Sequence, residues 1–292
     1  MTLRAPEPGL RAILAPNPSP MTLHGTISHI VGEGDVALID PGPADRAHFD
    51  AILGALSPGE RISHIFVTHA HLDHSPLARP LSEATGAPVL AFGPASAGRS
   101  EVMRDLAARG MAGGGEGVDA GFAPDACLAD GDRVTGTTWE LEAIHTPGHF
   151  CNHLSFAWGG AVFTGDHVMG WASTLISPPD GDLSDYFRSL DRVEARKARI
   201  FYPAHGDPVL ETSARIAALR EHRQTRSRQI LEALAAAPAT AEALTRAIYT
   251  DTPAALLPAA RRNVFAHLVE LTQQNRVRPQ RELHPDAPFE RI

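Results

Sequence analysis

Cysteine is scarce in this chain. Cys127 and Cys151 are the only two in 292 residues. Two thiols make no disulfide framework, so the expected compartment is a reducing cytoplasm. No run of about 18 apolar residues occurs, which excludes a membrane-spanning helix and with it a membrane partner. Residues 1–8 lack the apolar core of a secretory signal, so export is not expected. No Gly-x-Ser-x-Gly segment or Ser-His-Asp arrangement is visible, which removes serine-nucleophile chemistry. No internal repeat is visible either. What remains is an ordinary globular composition, 43% hydrophobic. Its length suits one large domain and one small one.

Acidic charge dominates, but unevenly. Residues 222–292 hold ten Arg and seven acidic residues, a net of +3, while residues 1–221 carry −11. An acidic body attracts metal cations and repels polyanions. The mildly basic tail permits nucleic-acid contact without demanding it.

The most informative segment is Thr68-His69-Ala70-His71-Leu72-Asp73-His74. A helix would scatter these side chains around its cylinder. On a strand end, His69 and His71 point the same way, because side chains alternate with period 2. Asp73 and His74, past the turn, can face a second point nearby, an arrangement that suits two metal ions better than one. The preceding run Arg61–Val67 reads as a buried strand, so the cluster sits at a strand's C-terminal end. Three further strand-end segments each carry one candidate ligand where Gly or Pro shapes a turn. They are Thr146-Pro147-Gly148-His149, Thr164-Gly165-Asp166 and Pro203-Ala204-His205-Gly206. Imidazole and carboxylate donors suit zinc first, with iron and manganese as alternatives.

The four segments in this order resemble the metallo-β-lactamase superfamily of dinuclear metal hydrolases. The resemblance implies an αββα sandwich and a site of two divalent metal ions. His69, His71 and His149 match the ligands of one ion, Asp73, His74 and His205 those of the other, and Asp166 the bridging carboxylate. Asp73 is also the candidate catalytic proton acceptor, serving a metal-bridging hydroxide. Asp40, in Ala37–Gly42, matches the family's strand-ending Asp that supports the site from behind. The segment Asn17–Thr26 resembles the opening of the lactamase-β-2-like subfamily, which includes endoribonucleases and ends in a winged helix. Tyr186 and the C-terminal region follow the same layout. Two departures stand out. Ser75-Pro76-Leu77 replaces the usual Ser-Gly-Gly and could reshape the substrate rim, and Gly110–Gly121 reads as a flexible insert.

Pattern reading gives strands near 13–14, 26–31, 36–39, 62–68 and 88–92, with hairpins at 133–145 and 153–164. Helices are expected over 45–56, 77–85, 96–109 and 183–196. Alternating strands and helices argue a layered α/β domain over residues 1–210. From 211 to 292 the pattern becomes three helices and short extended pieces at 276–279 and 281–283, as a winged helix requires. Among the remaining histidines, His153 could support the site or the fold, and His167 is favoured as a non-ligand. His24, His29, His64 and His145 read as strand or loop residues. Cys151 reads as a small buried residue. Trp171, Ser173 and Thr174 fall at the expected substrate rim, with packing favoured for Trp171.

Three functions are open at this level. The first is hydrolysis of an ester, thioester or lactone, with a small molecule as partner. The second is an endoribonuclease on single-stranded RNA, with Arg261 and Arg262 reaching a phosphate backbone. The third is a nucleic-acid-binding regulator with a vestigial metal site, against which the complete ligand set argues. A homodimer is compatible with all three.

Overall fold

A computed structural model describes residues 2–114 and 117–292. In chain order the elements are β1 (Thr2–Glu7), β2 (Leu10–Leu14), β3 (Ile27–Val31), β4 (Asp35–Ile39), α1 (Arg46–Gly54), β5 (Arg61–Phe66), α2 (Ala78–Thr85), β6 (Val89–Ala91), α3 (Glu101–Ala108) and β7 (Ala126–Cys127). There follow β8 (Arg133–Thr135), β9 (Glu140–His145), β10 (Leu154–Trp158), β11 (Ala161–Gly165), α4 (Leu183–Ala195) and β12 (Ile200–Pro203). The chain ends with α5 (Thr212–Ala236), α6 (Ala241–Ile248), α7 (Leu257–Gln273), β13 (Val277–Pro279) and β14 (Phe289–Arg291).

Two sheets form the body. One runs β1-β2-β3-β4-β5-β6-β7 and the other β12-β11-β10-β9-β8. Their strands send alternate side chains to opposite faces. From β4 and β5, Ala37, Ile39 and Phe66 meet Leu141, Phe156 and Phe163 of the second sheet in a shared core. Leu38 and Ile65 point the other way, against Ile52 of α1 and Leu81 of α2. On the far side, Val162 and Phe201 pack on Leu190 of α4 and Ile216 of α5. The layers are therefore helix, sheet, sheet, helix, as the family resemblance implied.

The C-terminal helices close a separate core with the β13–β14 ribbon, where Ile230, Leu244, Val264, Leu268 and Phe289 meet. Val264, Leu268 and Leu271, at i, i+4 and i+7, form one buried stripe of α7, whereas Leu256 and Leu257 are only half-buried. The helix α5 is common to two cores. Its Ile216 and Leu219 lie against the second sheet, and its Ile230, Leu231 and Leu234 lie in the C-terminal core.

Four differences from the sequence reading have local causes. The strand β1 was not expected, and it forms an edge of the first sheet. The helix α3 starts at Glu101 rather than 96, because residues 94–98 form turns. The second strand of the C-terminal ribbon lies at Phe289–Arg291 and not at 281–283, since Phe289 is the residue that fills the core. Of the Gly110–Gly121 segment, Gly115 and Glu116 lie outside the described residues. Its remainder is tied to the site: Val118 bridges His71, the Leu72 amide donates to the Gly117 carbonyl, and the Ser75 hydroxyl donates to Asp119.

Candidate metal centre

The site forms where several strands end at the same edge of the sandwich. Backbone bonds lock these ends together: Leu154 N donates to Thr68 O, Ala204 N to Gly165 O, and Ile27 N to Ala204 O. Past β5 the chain turns sharply and delivers His69, His71, Asp73 and His74. His149 comes from the β9–β10 loop, Asp166 follows β11, and His205 follows β12. All seven side chains are buried. They fall into two groups that could each hold a metal ion, His69 with His71, His149 and Asp166, and Asp73 with His74 and His205.

In the first group three imidazole nitrogens converge. His71 Nδ1 lies 2.9 Å from His69 Nε2 and 3.1 Å from His149 Nε2. The far nitrogens of the latter two rings are already engaged. His69 Nδ1 is 3.0 Å from Thr68 Oγ1, whose own proton goes to Asp40. His149 Nδ1 is 2.7 Å from the Leu175 carbonyl and 2.8 Å from Thr174 Oγ1. With their N–H groups directed outward, both rings aim lone pairs inward at His71, and lone pairs facing one another call for a cation between them.

The second group repeats this logic. His74 Nδ1 is 3.0 Å from Asp40 Oδ2, so its Nε2 faces Asp73 Oδ2 at 3.2 Å and Asp166 Oδ1 at 3.5 Å. His205 Nδ1 is 3.2 Å from the Gly25 carbonyl, and its Nε2 lies 3.2 Å from both carboxylates. Asp166 spans the groups, with Oδ1 near His74 and His205 and Oδ2 3.6 Å from His149 Nε2. Asp73 Oδ1 is buried without a hydrogen-bond partner. A buried carboxylate oxygen in that condition is costly unless a cation meets it.

Electrostatics follow from burial and crowding. Burial lowers His69, His71 and His149, with His71 falling to about 3, which favours the neutral imidazole that a metal site requires. Burial alone would also lower His205, but Asp166 and Asp73 overrule it and push it up to about 10. Burial opposes ionisation of Asp73 and Asp166, yet the facing imidazoles hold both well below the usual carboxylate range. Asp73 and Asp166 thus favour positive charge at His74 and His205, a charge that a bound divalent cation would supply instead. The donor set fits divalent cations.

The supporting shell is equally specific. Asp40 holds a left-handed backbone at φ 51°, which Asp tolerates better than most residues. From there its carboxylate accepts from the Thr68 amide and hydroxyl as well as facing His74. Thr26 Oγ1 accepts from Asn17 Nδ2 and donates to Asp73 Oδ2 at 3.1 Å, which gives the Asn17–Thr26 loop a physical role. His153 packs its ring on His69, with its Nδ1 against the Thr146 hydroxyl. His167 packs against Tyr186 and belongs to neither donor group. Cys151 is buried, with its thiol pushed up to about 12 by burial, and donates to the Ala95 carbonyl.

A residue with no signal in the sequence is Arg223 of α5, which is fully buried. It donates to the Thr174 carbonyl and, at 3.0 Å, to Asn263 Oδ1, while its guanidinium lies 5.5 Å from the Tyr186 ring centre. Through Thr174 it supports the partner of His149.

An open cleft of about 240 Å³ leads from His71, His149 and Asp166 outward. Trp171 is 38% exposed and lines it, so the packing role expected for this residue is incorrect. Its ring lies over Gly206, which leaves no room for a side chain there: a Cβ on Gly206 would come within 2.7 Å of the indole. Ser173 and Thr174 line the same cleft as expected, whereas Pro76 stands apart from it. Arg261 pairs with Asp286 and Glu242. Arg262 donates to the Ala112 carbonyl and the Ser177 hydroxyl. Both arginines that the endoribonuclease alternative would have used are thus engaged within the protein, and nothing in the site supports an RNA partner. No helix is long and apolar enough to cross a membrane among the described residues.

Comparison with known proteins agrees with this geometry. Residues 22–205 match the metallo-beta-lactamase superfamily, and residues 240–283 match the beta-lactamase associated winged helix domain. A Drosophila melanogaster protein named beta-lactamase-like protein 2 homolog is 31% identical over 278 residues, 91% of this chain and 88% of that one. An Aspergillus fumigatus protein named atrochrysone carboxyl ACP thioesterase is 29% identical over 78% of this chain and 65% of its own length. A solved metallo-beta-lactamase family protein from Thermus thermophilus superposes over 99% of this chain and all of its own, with a TM-score of 0.78 and 25% identity.

Proposed function

We propose that this chain, which belongs to the metallo-β-lactamase superfamily and carries its associated winged helix, hydrolyses an ester, thioester or lactone-type bond with two divalent cations. The observation that carries this reading is the convergence of seven buried donors with their lone pairs turned inward. His69, His71 and His149 would hold one cation, and Asp73, His74 and His205 the other. Asp166, with an oxygen toward each group, would bridge them. Zinc suits these donors best, and iron or manganese is compatible.

When bound, such ions polarise the substrate oxygen and ionise a water near neutral pH. The remaining work falls to side chains. Asp73 Oδ1, buried and unpartnered, would receive the proton of the attacking water, while Thr26 on Oδ2 holds the carboxylate in place. Asp40 orients His74, and Leu175 with Thr174 orients His149. A thioester is favoured among the three bonds by the fungal relatives named as thioesterases. In this reading residues 1–210 form the catalytic part and 211–292 the winged-helix part, in a reducing cytoplasm.

The test is elemental analysis of wild type and Asp166→Ala beside thioester turnover in Asp73→Asn. Wild type should carry about two ions per chain, as a two-metal site requires. Asp166→Ala should lose metal at both positions. Asp73→Asn should lose at least ~100-fold in turnover, the ordinary scale of a positioned acid–base group. Metal-free wild type that gains nothing on added zinc, iron or manganese would sink the reading.

A further inference from the structure

The cleft above the metal centre joins residues from distant parts of the chain. At its base stand His71, His149 and Asp166. Its lining includes Met21, Met169, Trp171 and Leu175 and, from the winged-helix end, Tyr249, Leu256 and Ala259. Among the described residues that line it there is no lysine or arginine, and the only charged side chain is Asp166. The nearest cations are spoken for. Arg223 donates to Thr174 O and Asn263, Arg215 to the Met169 and Ala172 carbonyls, Arg226 lies 4.4 Å from the Tyr249 ring centre, and Arg262 is bonded to Ala112 and Ser177.

Beyond the metals that the proposed centre would hold at its base, a phosphate, a nucleotide or a second carboxylate would meet no cation on the walls of this cleft. Its desolvation would go uncompensated. An uncharged apolar group would instead remove Trp171, Leu256 and Met21 from water at no such cost. Methionine's flexible thioether adapts to chains and rings alike.

We propose that this cleft binds the uncharged, apolar acyl portion of the substrate, a medium-length alkyl chain or an aromatic ring, and that Tyr249, Leu256 and Ala259 set how large it can be. The inference rests on the hydrolase reading only for the place of the scissile bond, at the metal end of the cleft. The leaving group then lies outside, where charge is tolerated.

Two measurements on metal-replete full-length protein test it. The first is calorimetric binding of acetate, octanoate, benzoate and adenosine monophosphate, which needs no turnover. Octanoate or benzoate should bind at least tenfold more tightly than acetate, and the nucleotide more weakly than either. In Ala259→Leu, which narrows the cleft, the octanoate-to-acetate ratio should fall at least threefold. Leu256→Ala, at a half-buried turn position, serves as a second variant should the first fold poorly, and its ratio should also fall. The second measurement is turnover of acetyl, octanoyl and benzoyl N-acetylcysteamine thioesters. A matching acyl preference in kcat/KM supports both proposals. Tight octanoate binding with no thioester turnover keeps the acyl cleft and removes the hydrolase reading. Equal binding of acetate and octanoate, or strongest binding of the nucleotide, overturns the acyl cleft even if thioesters are hydrolysed.

Discussion

Replacing Arg223 by alanine asks how much of the metal centre is held from the far end of the chain. Among the described residues no carboxylate pairs with this buried guanidinium, and its Nε has no partner. Its charge is offset by the Thr174 carbonyl, Asn263 Oδ1 and the face of Tyr186. Truncation leaves the Thr174 carbonyl without its donor, at about 1–3 kcal/mol. The lost packing and residual cavity add about 2 kcal/mol or more. Relief from burying an uncompensated cation offsets part of this. The balance is a loss of roughly 2–4 kcal/mol, or a melting temperature lower by about 4–8 °C. Arg223→Met keeps most of the volume and sheds the charge, so it should lose less than alanine. Thr174 also meets His149 Nδ1, and loosening it should weaken zinc in a chelator competition by up to about tenfold. Thermal melts and urea titrations of both variants check the stability figures. A melting temperature within about 1 °C of wild type for Arg223→Ala, or equal losses for the two variants, would refute the reasoning.

Burial, aided by the Asp182 carboxylate, raises Glu270 from its ordinary 4.5 to about 7. The unfolded chain therefore ionises first. Native stability falls as pH rises from about 4.5 to about 7 and stays reduced above, by roughly 3 kcal/mol. Glu270→Gln, which can still accept from Gln274, should raise the urea midpoint at pH 8 and leave it unchanged near pH 4.5, and an equal gain at both would count against burial as the cause. Gly206 holds φ +84° beneath Trp171. Gly206→Ala should cost about 1–2 kcal/mol in backbone strain and shift the tryptophan emission, and an unchanged spectrum would mean that the indole does not rest there.

The candidate metal donors were legible as a cluster because chemistry compresses them. Four lie in one strand-end turn, and the others stand alone beside glycine or proline that shapes a turn. Asp40 was legible for the same reason. Arg223 was not, since an arginine on a helix is ordinarily solvated and nothing local marks this one as buried. Trp171 was misread because loop residues carry no periodicity from which exposure can be inferred. The ribbon strand at Phe289–Arg291 was misplaced because three residues hold no alternation, and only the C-terminal core selects Phe289. Helix starts drifted by a few residues where turns precede the cap, as before α3.

The 25-residue helix α5 has one further consequence, which concerns register. It runs without interruption from the second sheet to the C-terminal core, so the two ends are geared together and no linker separates them. A single residue inserted midway would rotate everything beyond it by about 100° and advance it about 1.5 Å. Tyr249 and Leu256 would then swing off the cleft while the seven donors stayed where they are. The depth and width of the cleft are thus locked to helical phase. Point substitutions along its walls can retune the substrate, whereas a one-residue change in the length of α5 would separate the chemistry from the recognition it serves.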